Sequence, residues 1–368
     1  MVFMQEIPKT MHAVMLTGHG GIDTLVYKTD VEVPLPKSDE VLIRVKASGV
    51  NNTDINTRIG WYSKSVTSDT NKGGASGLED AKKNDSSWSG KPLKFPLIQG
   101  ADVYGEIVKV GSDISPKRIG ESVLVRTMQE NPHTSENNCW TLGSECNGGF
   151  AQYTAVRSSE VFVINSDWSD TDLGSIPCAY STAEGLLHRA KLEKETILIT
   201  GASGGVGSAA IQLAKLRDAT VIAQCAVEKK EEVIQIGADK IVFRNSDLLK
   251  EIGRDAVDIV IDLVGGPKWT QLLDILKPGG RYATSGAIAG PIVKLDLRTL
   301  YLKDLTLYGC TFQSKEVFRN IIKYIEENKI KPLVAKSYPL KEIKKAQLDF
   351  LYKKFTGKLV LVPPDDIV

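Results

Sequence analysis

Several absences narrow what this chain does. No apolar run approaches the ~18 residues of a membrane span, so no spanning helix is expected and no membrane is expected as a partner. Charge of one sign is missing as well. Lys plus Arg number 46 against 45 Asp plus Glu, a net +1. Such balance gives no strong field for nucleic acid, and there is no basic stripe to track a phosphate backbone. The opening MVFMQEIPKT lacks a basic segment followed by an apolar core, so a secretory signal is not expected. Cysteine is scarce: Cys139, Cys146, Cys178, Cys225 and Cys310 are odd in number and mostly scattered. That pattern fits a reducing cytoplasm better than a disulfide framework. No Ser/His/Asp set and no paired-carboxylate motif stands out, which disfavours hydrolysis.

What is present is an ordinary globular composition, 42% hydrophobic and 25% charged, over 368 residues. That length is comfortable for two domains. The most informative stretch is TGASGGVGSAAIQLAK, residues 200–215. Before it, Thr196–Thr200 is a short apolar run rich in β-branched residues and reads as a buried strand. After it, Ala209, Ala210, Leu213 and Ala214 have helical spacing. Strand, glycine turn and helix together aim free backbone N–H groups at an anion. Gly204 and Gly207 keep the three-residue spacing of the second half of a dinucleotide fingerprint, with Ala202 in the first glycine's place. Residues Ala202, Ser203, Gly204, Gly205, Val206 and Gly207 are therefore the candidate pyrophosphate loop. The alternative is a strand–helix turn that uses glycine for its backbone and binds nothing.

The rest of the chain falls into two textures. Residues 11–60 alternate apolar and polar positions, as in VLIRVKASGV, and DVYGEIVKVGS and ESVLVRT continue the β pattern. Residues 62–94 are polar and read as an exposed or partly disordered insert carrying one short helix. From about 157, strands and helices alternate: TILIT, TVIAQ, KIVF, AVDIVIDLVG, RYATSG and LTLYGC are the strand candidates. Alternation of this kind means a doubly wound parallel sheet, whose ligands bind at the strands' carboxyl ends. The tail, a helix and two strands ending in GKLVLVP, is expected to pack on the first domain. Asp54 and Arg58, four residues apart, read as a helical ion pair.

Several separated motifs share one order with a known family. Leu198, Ala202-Ser203-Gly204-Gly205, Gly207, Gln212 and Lys215, then SGVNNTDINTRIGWY (48–62), PLIQGADVYGEIVKVGS (96–112), GGFAQYTAV and GKLVL carry the likeness. On these the chain resembles the medium-chain dehydrogenase/reductase superfamily, in its zinc-free quinone oxidoreductase (zeta-crystallin-like) branch. The resemblance implies an α/β fold: a Rossmann doubly wound parallel sheet inserted in a GroES-like β-rich catalytic domain. The implied division is 1–156 and 314–368 for the catalytic domain, and 157–313 for the dinucleotide-binding domain. Two features depart from the branch. The 62–94 insert is longer than usual there, and Asn56 stands where some relatives carry a tyrosine near the substrate.

Zinc dehydrogenases of the superfamily use a cysteine, a His-Glu pair and a later Cys or His. Here those places hold Asn51, Ala101 and Asp102, with Cys178 near the third. Amide and methyl groups do not replace thiolate and imidazole, so no metal is expected. His133, Cys139 and Cys146 form a loose set without a fourth ligand. His12, His19 and His188 read as surface or packing residues. Without a Lewis acid, an acceptor that takes hydride unaided is the natural substrate, and quinones and α,β-unsaturated carbonyls qualify. Asn51 is the candidate amide beside the nicotinamide, or alternatively an Asx turn after the strand. Tyr62 and Trp61 are candidates for the wall of the substrate cleft, or for core packing.

The cofactor expected is NADPH. No carboxylate stands at the tip of TVIAQ to take the ribose 2′-hydroxyl, and Lys229 and Lys230 follow within a few residues. Ala226 replaces the serine that similar sequences place before such a lysine, and a solvated helix face is the other reading of the lysine pair. The expected activity is reduction of a quinone or similar small conjugated carbonyl. A 2-alkenal or enoyl-thioester reductase is the enzyme alternative. A non-catalytic NADPH-binding structural or nucleic-acid-binding protein is the alternative of another class. LTLYGC as the last sheet strand offers an edge through which a homodimer is expected to form.

Overall fold

A computed structural model describes residues 6–132 and 139–365; of the loose His133–Cys139–Cys146 set, His133 and the Cys139 side chain lie outside the described residues. The first half builds a seven-stranded sheet around one long strand, Glu40–Val50. That strand pairs antiparallel with Tyr104–Val110, Tyr153–Arg157 and Lys358–Val362 at different points along its length. Two register shifts, between Leu42 and Ile43 and between Val45 and Ala47, let it bend and serve so many partners. A three-stranded sheet covers it, with Thr10–Leu16 at its centre. The alternation seen in VLIRVKASGV holds: Val41, Ile43 and Val45 fall in one core cluster, and Leu42 in another.

The second half is a six-stranded, all-parallel sheet. Its spatial order is Lys240–Phe243, Thr220–Cys225, Thr196–Ile199, Val257–Asp262, Leu276–Thr284, Thr306–Gly309. All six strands predicted from the alternation are present. The order reverses between Thr196–Ile199 and Val257–Asp262, which opens a crevice beyond their carboxyl ends. Helix Gly205–Lys215 follows the glycine loop, with Ile211 and Leu213 fully buried. Burial of such a side chain stabilises the fold by roughly 1.5–3 kcal/mol.

The tail divides in two. Strands Val334–Pro339 and Lys358–Val362 join the first sheet, as expected. Helix Lys315–Glu326 does not: Phe318, Ile321 and Ile325 fall in the parallel sheet's cluster, against helix Pro177–Arg189. Its four-residue apolar spacing gave the buried face but not the partner.

The polar insert is ordered by many hydrogen bonds together with a few apolar contacts, Val66 being buried and Leu78 and Leu93 packing on the first core. Its one short helix, Thr70–Gly73, is as predicted. Ser63 Oγ donates to Asp85 (2.6 Å) and Ser65 Oγ to the Asp80 carbonyl (2.5 Å). The Thr70 N–H reaches the Ile288 carbonyl of the second half at 3.1 Å. Arg58, fully buried, anchors the insert: it donates to the Gly74 and Gly20 carbonyls and to Gln347 Oε1. The expected Asp54–Arg58 ion pair is therefore absent among the described residues. Helix Asn52–Ile59 is buried on more than one side, so Asp54 caps its start while Arg58 turns to backbone carbonyls elsewhere. No helix among the described residues is long and apolar enough to cross a membrane.

Candidate active site

The crevice at the sheet reversal is a cavity of about 600 Å³, walled on one side by the first sheet and on the other by the glycine loop. Its charged lining residues among those described are Lys64, Lys353 and Lys358, with no carboxylate.

The glycines of the loop play different parts. Gly201 takes a left-handed φ of +60°, which turns the chain out of the strand. Gly204 is the N-cap of an 11-residue helix and has no side-chain cap. The first N–H groups of that helix thus face the cavity without a side-chain acceptor. A Cβ on Gly204 would meet only the Gly201 carbonyl, at 3.4 Å, so the space beside it is open. A Cβ on Gly207 would fall 2.3 Å from that carbonyl and 2.6 Å from Ala202 Cα. One glycine therefore leaves room for a ligand, and the other lets helix and loop pack. Gly205 and Val206 also line the cavity; Ala202 and Ser203 do not. Ala202 is fully buried with its N–H on Gln224, and the Ser203 carbonyl accepts from Gly357 N–H at 3.0 Å.

At the floor lies a buried polar network. Lys358, 3% exposed, donates to Asn51 Oδ1 (2.5 Å) and to Asp102 Oδ2 (2.9 Å). Asn51 Nδ2 donates to Asp102 Oδ2 (2.8 Å) and to the Gly49 carbonyl (3.2 Å). Asp102 Oδ1 accepts the Cys178 N–H at 2.5 Å. Asn51 lines the cavity as expected, but both its amide hydrogens are spent inside the protein. Sequence reasoning missed Lys358: GKLVL read as a strand, and only the fold turns that lysine onto Asn51. Beside the network, Asp54 is fully buried and accepts the Asn51 N–H at 2.7 Å. Burial, and then the Asp102 charge, push its carboxyl up to about 7.

The insert and its flank supply an aromatic wall. Tyr62 stacks at a tilt on Trp88 with ring centres 4.8 Å apart, and Trp61 meets Tyr62 edge-on at 5.8 Å. Thr53 Oγ1 accepts from both Tyr62 OH (3.2 Å) and Trp88 Nε1 (2.7 Å). Burial raises the Tyr62 hydroxyl well above its ordinary pKa. Asn56 lines the same wall and accepts from Thr70 Oγ1 at 3.0 Å.

The lysine pair after TVIAQ separates. Lys230 is exposed, 3.8 Å from Glu231. Lys229 is buried, donates to the Phe355 carbonyl and lies 5.7 Å from that ring's centre. It does not line the cavity, but Lys353, unforeseen in the sequence, does. Lys353 sits 3.5 Å over the Phe350 ring in a left-handed turn. Burial, and then the neighbouring Lys229 charge, push its ammonium down to about 7. No carboxylate lines the cavity beside Lys353, and the nearest charge acting on it is the Lys229 ammonium.

The donor set does not fit zinc. Asn51 and Ala101 supply neither thiolate nor imidazole, and Asp102 already faces an ammonium. Among the described residues, no group of three or more His, Cys, Asp or Glu could hold a metal ion. Comparison with known proteins agrees with the fold. Residues 37–166 match the alcohol dehydrogenase GroES-like domain, and residues 205–327 match the zinc-binding dehydrogenase family. A solved structure from Sinorhizobium meliloti 1021, provisionally assigned as an alcohol dehydrogenase, is 46% identical. It superposes with a TM-score of 0.87 over 98% of this chain and 99% of that one. The human quinone oxidoreductase is 27% identical over 96% of this chain and 98% of its own. An acryloyl-coenzyme A reductase of Metallosphaera sedula is 29% identical over 95% and 99%. The chain belongs to the medium-chain dehydrogenase/reductase superfamily, whose members are pyridine-nucleotide-dependent oxidoreductases.

Two outcomes test this geometry. Gly204→Val should abolish dinucleotide binding by calorimetry with little change in melting temperature, whereas Gly207→Val should unfold the loop and helix. Equal melting losses in both variants would contradict the division of roles. Burial lifts the Asp54 carboxyl from the ordinary carboxylate range to about 7. Because the folded state holds that proton more tightly, its stabilising contribution is full below 3.8 and disappears as pH rises through about 7. Asp54→Asn should therefore flatten the fall in stability to denaturant between about pH 4 and about pH 8. An unchanged slope would show that Asp54 is not the titrating group.

Proposed function

We propose that this protein is an NADPH-dependent, zinc-independent reductase that transfers hydride to a quinone or a similar conjugated carbonyl. One observation carries the reading: Asn51 at the cleft floor and Asp102 behind it are tied to Lys358, and neither supplies the thiolate or imidazole a Lewis acid would need. An acceptor there must delocalise its own incoming charge. A bound reduced nicotinamide would supply the hydride. The chain's part is to bind, orient and exclude water. The open N-terminus at Gly204 takes the pyrophosphate, and Lys353, which lines the cavity, takes the 2′-phosphate with the Lys229 charge behind it. Tyr62, Trp61 and Trp88 hold a flat conjugated acceptor. Asn51 acts by fixing the floor rather than by reaching the nicotinamide.

A second reading, an enoyl-thioester reductase, draws on Lys64 at the insert side of the cavity, a cation suited to a phosphate-bearing thioester. The acryloyl-coenzyme A reductase relative points the same way. The catalytic part in this reading comprises 1–156 and the tail from Val334 onward, with 157–313 and helix Lys315–Glu326 forming the dinucleotide-binding part. Free Cys178 and Cys310 beside the cavity suit a reducing cytoplasm.

A steady-state screen of NADPH oxidation with quinones, enals and enoyl thioesters separates the readings. Turnover should survive chelation, with less than stoichiometric zinc by elemental analysis. NADPH should bind more tightly than NADH. Lys229→Ala or Lys353→Ala should weaken NADPH by about ten- to hundredfold and leave NADH nearly unchanged. Equal dissociation constants for the two cofactors would refute the NADPH assignment.

Edge strand Thr306–Gly309 is flanked by exposed Ile292, Leu297, Tyr301 and Leu302. That apolar edge is expected to pair two copies into a homodimer. Light scattering should give a dimer that Leu302→Asp shifts to monomer; a monomer at all concentrations would overturn it.

A further inference from the structure

We propose that the Lys358 ammonium is the oxyanion donor of this cleft: its third N–H binds the acceptor's carbonyl oxygen as that oxygen becomes negative. The proposal rests on the reductase reading above and names a catalytic residue for it.

An ammonium has three donors and no acceptor. Two of Lys358's are taken, by Asn51 Oδ1 and Asp102 Oδ2. Among the described residues no acceptor meets the third, although the side chain is only 4% exposed and the residue lines the cavity. A buried, unpartnered, charged donor at a ligand cavity is the feature expected of an oxyanion site.

The lysine is also held in place. Its stem runs between two glycines. A Cβ at Gly205 would lie 2.7 Å from Lys358 Cδ, and a Cβ at Gly49 would lie 2.9 Å from its Cε and 2.4 Å from Asp102 Oδ2. Neither glycine has a left-handed φ. Their smallness is explained by the lysine that passes between them. A donor fixed before the reaction costs no reorganisation as charge develops. The other lining lysines are not so held: Lys64 is exposed on the insert, and Lys353 lies over Phe350.

The chemistry balances without a proton from Lys358. The acceptor's electrophilic carbon gains a hydrogen and two electrons from the dihydronicotinamide ring, where one C–H bond breaks as the new one forms. The acceptor's π pair moves onto its carbonyl oxygen, which faces the ammonium. The dinucleotide leaves oxidised, and water supplies the proton that completes the product.

The test uses 4-nitrophenol, whose phenolate mimics the charged oxygen and absorbs visibly. It is bound to the full-length protein saturated with NADP⁺, at one fixed pH below the pKa of the free phenol. The unmodified protein should bind it as phenolate. Lys358→Met with Asp102→Asn removes the charge pair together, so no lone carboxylate is left buried. That double variant should bind about ten- to hundredfold more weakly, and as the neutral phenol. Asp102→Asn alone leaves the Lys358 amine without its acid partner; phenolate then supplies the counter-charge, so this variant should hold phenolate at least as tightly as the unmodified protein, an outcome that a merely structural role for the pair does not produce. Phenolate bound equally by the double variant, or no phenolate bound by the unmodified protein, overturns the proposal. If phenolate binding depends on Lys358 but no quinone or enone oxidises NADPH, the oxyanion site stands and the reductase reading falls.

Discussion

The contact between Lys358 and Asp102 organises the rest of the site. Taking an ammonium and a carboxylate out of water costs several kcal/mol per ion, and their attraction offsets this only when the remaining polar atoms are also satisfied. Here Asn51 bridges both partners, and the Cys178 N–H takes the second carboxylate oxygen. Four distant stretches thereby meet at one point: the start of helix Asn52–Ile59, the turn before Tyr104–Val110, the start of helix Pro177–Arg189 and the last strand. One residue before the lysine, Gly357 pairs with Gly204 and donates to Ser203. The same short segment thus sets the cleft floor and holds the glycine loop at its edge. Removing one member of the pair would leave the other charged, buried and alone.

The insert over the cleft follows a different rule. Little of it is apolar, so it cannot gain its order from a core of its own. Arg58 supplies the order by solvating carbonyls at Gly20 and Gly74 that would otherwise be buried unpaired. Burial lowers the guanidinium to about 10, so its charge persists at neutral pH. A charged group with backbone acceptors in place of an acid can anchor a polar segment without an ion pair. The Thr70 contact to Ile288 then ties this segment across to the nucleotide-binding side.

These two networks also show where sequence reading stops. The parallel sheet was legible because each strand is a short apolar run and each crossover carries its own glycine or helical spacing. The strand–glycine turn–helix at Thr196–Lys215 was legible for the same reason, since its residues are contiguous. Asp54 and Arg58 were misread because spacing on a helix predicts a pair only when both side chains share a solvated face. Lys358 was invisible because its partners lie 256 and 307 positions away. Lys353 was hidden in a lysine-rich turn, KKFTGK, where nothing local distinguishes the half-buried cation from its exposed neighbour. The helix over Lys315–Glu326 was found, but its partner was not, because an apolar stripe specifies burial without naming the surface that provides it.

The two unforeseen lysines handle burial in opposite ways, and the contrast fits what each would meet. Lys358 has a carboxylate beside it and is held in one position by Asn51 and Asp102. Lys353 has no acid partner and a second ammonium nearby, so its pKa falls to about 7. At neutral pH it is charged only part of the time. A phosphate arriving between Lys229 and Lys353 favours the protonated form, so binding such an anion near or above that pH draws in a proton. A ligand without the phosphate gains nothing there and leaves the repulsion between the two ammonium groups in place. On the NADPH reading proposed above, selectivity at this edge of the cleft would come from relief of the repulsion between the two ammonium groups. At the floor, by contrast, the fixed pair leaves one donor free and asks nothing of the ligand until charge appears on it.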